Sequence, residues 1–85
     1  MDINTEAVDE VVLALLHLNR CEQNRAWKSF DWAALNRLHE KGFIHNPVSR
    51  AKSVGLTDEG LREAERLFRQ HFVRFPDRQA GARPA

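Results

Sequence analysis

The sequence predicts a mainly α-helical domain with one small β-hairpin. Three observations carry this. Apolar residues recur at steps of three and four in three separate segments. Each of those segments opens on a residue suited to cap a helix. Between the second and third, a glycine and two short apolar runs bracket a polar stretch, as a hairpin requires. At 85 residues the chain has room for one core.

The first helix is expected from Thr5 to about Asn19, capped by Asn4 or Thr5. Glu6, Asp9 and Glu10 sit near its positive end. Val8, Val11, Val12, Leu15, Leu16 and Leu18 form its apolar stripe, widened by Leu13 and Ala14. Such breadth marks a central helix covered on more than one side, by the domain itself or by a second subunit. Residues 20–30 are polar and without strong period, and read as a loop with room for one helical turn near Trp27. The second helix starts with Asp31 as N-cap and Phe30 paired to Leu35 as a hydrophobic staple. Trp32, Leu35 and Leu38 line its inner face. Gly42 ends it, because a residue without Cβ takes the left-handed position freely.

Phe43-Ile44 and Ser53-Val54-Gly55-Leu56 read as the two strands of a hairpin around the polar loop 45–53. Thr57 caps a third helix with Leu61, Ala64, Leu67, Phe68, Phe72 and Phe75 on one side, ended by Pro76. Residues 1–76 make one domain. Residues 77–85 hold no apolar residue larger than alanine and are expected to be a disordered tail.

The net charge is +1, which excludes a simple polycation. Its distribution is uneven. Residues 1–24 carry Arg20 against Asp2, Glu6, Asp9, Glu10 and Glu22. Residues 25–54 carry Arg25, Lys28, Arg37, Lys41, Arg50 and Lys52 against Asp31 and Glu40. The positive charge sits where a DNA-facing element would be.

A single cysteine, Cys21, allows no internal disulfide and fits a reducing compartment. The acidic N-terminus lacks a signal-peptide start, and Val11–Leu16 is too short to span a bilayer. A cytoplasmic protein that uses no membrane is expected. No Gly-rich phosphate loop, nucleophile–base pair or metal-ligand set is visible, so no enzyme, cofactor or metal is expected. His17 and Cys21 have the spacing of a metal pair but lack two further ligands. Trp27, Phe30 and Trp32 read as a core plug beneath a helix start; aromatic residues in such clusters also stack on bases.

Leu35-x-x-Leu38-x-x-x-Gly42-Phe43-Ile44, followed by Leu56-Thr57-x-x-Gly60, resembles winged-helix regulators of the MarR and PadR kinds. The resemblance covers roughly residues 31–62. It implies a winged-helix-like fold of three main helices plus a two-stranded wing. It also implies a dimer on double-stranded DNA, with the helix of residues 31–41 in the major groove. Asn36 and Arg37 would then read bases, and Arg25, Lys28, Lys41, Arg50 and Lys52 would add wing and backbone contacts. Phe68, Phe72 and Phe75 would form the dimer interface. Residues 20–30 leave little room for the extra helix of a complete motif. The whole chain is also similar to a family of small uncharacterised bacterial proteins, through Trp27-Lys28-x-Phe30-Asp31-Trp32 and Arg37-Leu38-His39-Glu40-Lys41-Gly42. The alternative role is a protein-interaction module with an unidentified partner and no nucleic-acid contact.

Overall fold

The computed structural model describes residues 1–74. In chain order they form α1 (Thr5–Leu18), β1 (Arg20–Glu22), β2 (Arg25–Trp27), α2 (Trp32–Glu40), β3 (Ser53–Gly55) and α3 (Asp58–Phe72). The chain is mainly helical, with one small antiparallel sheet in the order β1-β2-β3.

Each helix starts on a side-chain cap. The amide of Ala7 donates to Asn4, that of Ala34 to Asp31, and that of Gly60 to Thr57, at 3.1, 3.0 and 2.9 Å. These bonds satisfy amides that have no partner within the helix. Val12, Leu13, Ala14 and Leu16 of α1 meet Leu35 and Leu38 of α2, Ile44, Val54 and Leu56, and Ala64 and Leu67 of α3 in one core. α1 packs most extensively on α3.

The sheet has three strands, where a two-stranded wing was expected. β3 takes β2 as its partner, through Arg25↔Gly55, Ala26↔Val54 and Trp27↔Ser53. Phe43-Ile44 does not form a strand and contributes a single bridge, Ile44↔Leu56. The last bond to β3 on that edge runs from the His45 amide to the Gly55 carbonyl at 2.8 Å. Of residues 20–30, expected to be a loop with one helical turn, 28–30 are irregular but 20–27 hold no helical turn. The latter form the hairpin β1–β2, so no helix lies between α1 and α2. All three residues of β1 are exposed, and only Ala26 of β2 is buried.

A second junction fixes the start of α3. Gly42 takes the left-handed conformation at φ +83°. The Thr57 hydroxyl donates to the Gly42 carbonyl at 2.7 Å, and the Thr57 amide donates to the Phe43 carbonyl at 3.0 Å. A Cβ on Gly60 would stand 1.8 Å from that Phe43 oxygen. The Leu-Thr-x-x-Gly step is thus a close approach of helix to turn that only glycine allows. Pro76 and residues 77–85 lie outside the described residues.

Candidate functional site

Asp9 decides which cations of the middle segment remain available. It faces inward on α1, one turn before Val12 and Leu13, and is 1% exposed. Arg37 of α2 approaches it with Nε at 2.8 and 3.0 Å from the two carboxylate oxygens and Nη2 at 2.8 Å. Lys41 adds Nζ at 3.1 Å. Burial pushes the Asp9 carboxyl upward, but the hydrogen bonds and charges of Arg37 and Lys41 outweigh it and hold the group below its ordinary value. The Arg37 guanidinium is stabilised in turn by its Asp9 bond. Two expected DNA contacts, Arg37 and Lys41, are therefore partners of a buried carboxylate.

The other four cations have a different environment. Arg25 leaves Glu22, its neighbour across the hairpin, and reaches Ser53, with Nε to the hydroxyl and Nη2 to the carbonyl, both at 2.8 Å. The Lys28 ammonium donates to the Pro47 carbonyl at 2.7 Å and to the carbonyl and hydroxyl of Ser49 at 3.2 Å. The Lys28 amide also donates to the Lys52 carbonyl at 3.1 Å. Arg50 and Lys52 are exposed on the loop that Lys28 holds. Among the described residues no carboxylate pairs with any of these four. Bonds to neutral carbonyls and hydroxyls leave their positive charge in place. Asn36 is exposed on the outer side of α2.

The aromatic plug opens outward. Phe30 packs against the core, whereas Trp27 and Trp32 are 50% and 52% exposed. Ala26 points inward, so its strand neighbour Trp27 points out. Trp32 occupies the first helical position, and helix side chains lean toward the N-terminus. Its indole therefore overhangs the helix start instead of joining Leu35 and Leu38. The Lys28 ammonium lies 5.8 Å from the Trp32 ring centre, within cation–π range. The sequence signal for this surface was the interleaving Trp27-Lys28 and Asp31-Trp32, assigned there to the core.

The expected dimer residues divide. Phe68 is partly buried on the chain's own core, 4.9 Å ring to ring from His17. Phe72 is 46% exposed and tilted on Phe68 at 5.8 Å. Phe75 lies outside the described residues. Burial pushes the His17 imidazole below its ordinary value, with Arg20 and Arg69 acting in the same direction against Glu65.

Glu6, Asp9, Glu10, Lys41 and Glu63 rim a cleft of about 210 Å³ floored by leucines and Phe43. Among the described residues no group of side chains could hold a metal ion, and no helix is long and apolar enough to cross a membrane.

Residues 4–74 match the family described as a domain of unknown function (DUF6429). The uncharacterised protein y4hR of Sinorhizobium fredii is 53% identical over 74 residues, spanning 87% of this chain and 100% of that protein. No solved structure matches the chain.

Proposed function

This chain belongs to the DUF6429 family, and for it we propose a nucleic-acid-binding role on a winged-helix-like scaffold. The observation that supports the reading is the division of the middle segment's charge. Asp9 engages Arg37 and Lys41 and offsets one of their two charges, while Arg25, Lys28, Arg50 and Lys52 keep their full charge around β2 and the loop 45–52. Counterion release from phosphates gives such a cluster its affinity, and that term is independent of sequence. Base reading by α2 contributes little, because Arg37 is held by Asp9 and Asn36 alone remains exposed. The proposed module therefore binds by phosphate contacts from the loop 45–52 more than by a helix in the major groove.

The test is binding of a labelled duplex across a salt series, comparing wild type with Arg50→Ala/Lys52→Ala. Both residues are exposed, so the fold is retained. Loss of two phosphate contacts should lower the slope of log affinity against log salt by roughly 1.8. Equal slopes and affinities for wild type and variant, or absence of binding to both duplex and single strand at low salt, would contradict the role.

A protein-contact reading has its own support. Val11 and Leu18, two turns apart on one stripe of α1, are exposed together with Phe72 of α3. These residues would give α1 and α3 an apolar surface for a protein contact.

A further inference from the structure

We infer that the ligand of this basic face is single-stranded nucleic acid, its bases stacked on Trp27 and Trp32 and its phosphates lying along Lys28, Arg50 and Lys52. The inference rests on the nucleic-acid role proposed above and names its substrate class.

The two indoles flank a single contact. Trp27 ends β2 on the outer face of the sheet, opposite Ser53. Lys28 follows, bound through its ammonium to Pro47 and Ser49 and through its amide to Lys52. Trp32 opens α2 beneath that ammonium. The loop carrying Arg50 and Lys52 is thus held beside both rings. Val48, on the same loop, is 69% exposed and adds apolar surface.

Two half-exposed tryptophans in so small a domain leave apolar ring area in water, where burial would stabilise the fold. Charge decides between occupants. Lys28 stands over the Trp32 ring and holds the loop that carries Arg50 and Lys52, so three cations stand against one adjacent acid, Asp31, which keeps its charge while capping Ala34. An anionic ligand with flat apolar groups complements this surface, and a nucleic-acid strand is such a ligand. Pairing state follows from geometry. Bases in a duplex are covered on both faces by their neighbours, whereas an unpaired base offers a free face to an indole. The rings of a platform also need to be fixed, and Lys28 ties the Trp32 side of the patch to the loop.

The chain contains no tyrosine and two tryptophans, both on this face, so its intrinsic emission reports on the platform alone. The experiment titrates the full chain with a roughly 12-nucleotide oligothymidylate, within the range of known single-strand site sizes. A hairpin duplex of equal charge serves as the second arm. The expected result is quenching of tryptophan emission by the single strand, reversed by salt, and weaker or no quenching by the duplex. Trp27→Ala and Trp32→Ala should each weaken single-strand binding about ten-fold, measured with a labelled strand. Trp→Phe at either position, which keeps a ring, should restore part of that loss and guards against a folding defect. Binding of both ligands without quenching, and unchanged by Trp→Ala, would overturn the stacking inference and leave phosphate binding intact. Binding of neither ligand at low salt would overturn both.

Discussion

Asp9 is the residue on which the charge of the molecule turns. Removing it and removing its partners should have unequal effects. In Asp9→Ala, Arg37 and Lys41 are left with side chains 31% and 40% exposed, so water can solvate them and the cost should be about 1–2 kcal/mol. In Arg37→Ala/Lys41→Ala a buried carboxylate loses every cation, and the cost should reach about 3–5 kcal/mol. Urea unfolding of the two variants measures the difference. The same residue sets the acid limit of the fold. Because its carboxyl is held below the unfolded value of about 3.9, its contribution is complete above that value and is lost as pH falls through the lower folded value. His17 acts earlier. Its folded imidazole sits below about 6.5, so the unfolded chain takes up the proton first and stability declines as pH falls from there. His17→Phe should flatten the mildly acidic part of the profile, and Asp9→Asn the strongly acidic part. Asp9 could be found in the sequence: a carboxylate three, four and seven residues before Val12, Leu13 and Leu16 stands on the apolar stripe and requires a cation. Which cation was not readable, because Arg37 and Lys41 come from a distant segment.

At the scale of elements, caps and turns were readable and the hairpin was not. Asn4, Asp31 and Thr57 begin helices because their oxygens satisfy free amides, a local rule that needs no tertiary contact. Gly42 likewise declares its turn. β1 and β2 carry no such signal. They have three residues each, no β-branched residue and one buried position between them, so neither period nor propensity marks them. They exist because β3 and the loop contacts of Arg25 and Lys28 hold them. The Gly60 junction gives the sharpest test of an element. Alanine at an inner helix position gains up to about 1 kcal/mol in propensity over glycine. Here its Cβ would stand 1.8 Å from a backbone oxygen, and overpacking of that kind costs about 1–3 kcal/mol or more. Gly60→Ala should therefore lower the unfolding midpoint, read by circular dichroism in urea. An unchanged or raised midpoint would show that helix and turn are not in close contact.

For the whole molecule, the uneven charge of the sequence proved to be only half of the matter. Residues 25–54 are basic by composition, yet the buried Asp9 ties up Arg37 and Lys41 and offsets one of their charges, while Lys28 stands over the exposed Trp32 indole. Helical period assigned Trp32 to the core, and only the lean of a first-turn side chain places it in solvent. Composition indicated the segment of the proposed site, and three-dimensional pairing narrowed the residues proposed for it. The proposed role is tested most directly by amide chemical-shift mapping of the full chain with single-stranded and duplex oligonucleotides. The single strand should shift Trp27, Lys28, Trp32 and residues 48–52, including the indole N–H signals, while the amides around Asp9 and along α3 stay in place. Shifts centred on α3 or on Arg37 and Lys41, or no shifts at low salt, would contradict that role.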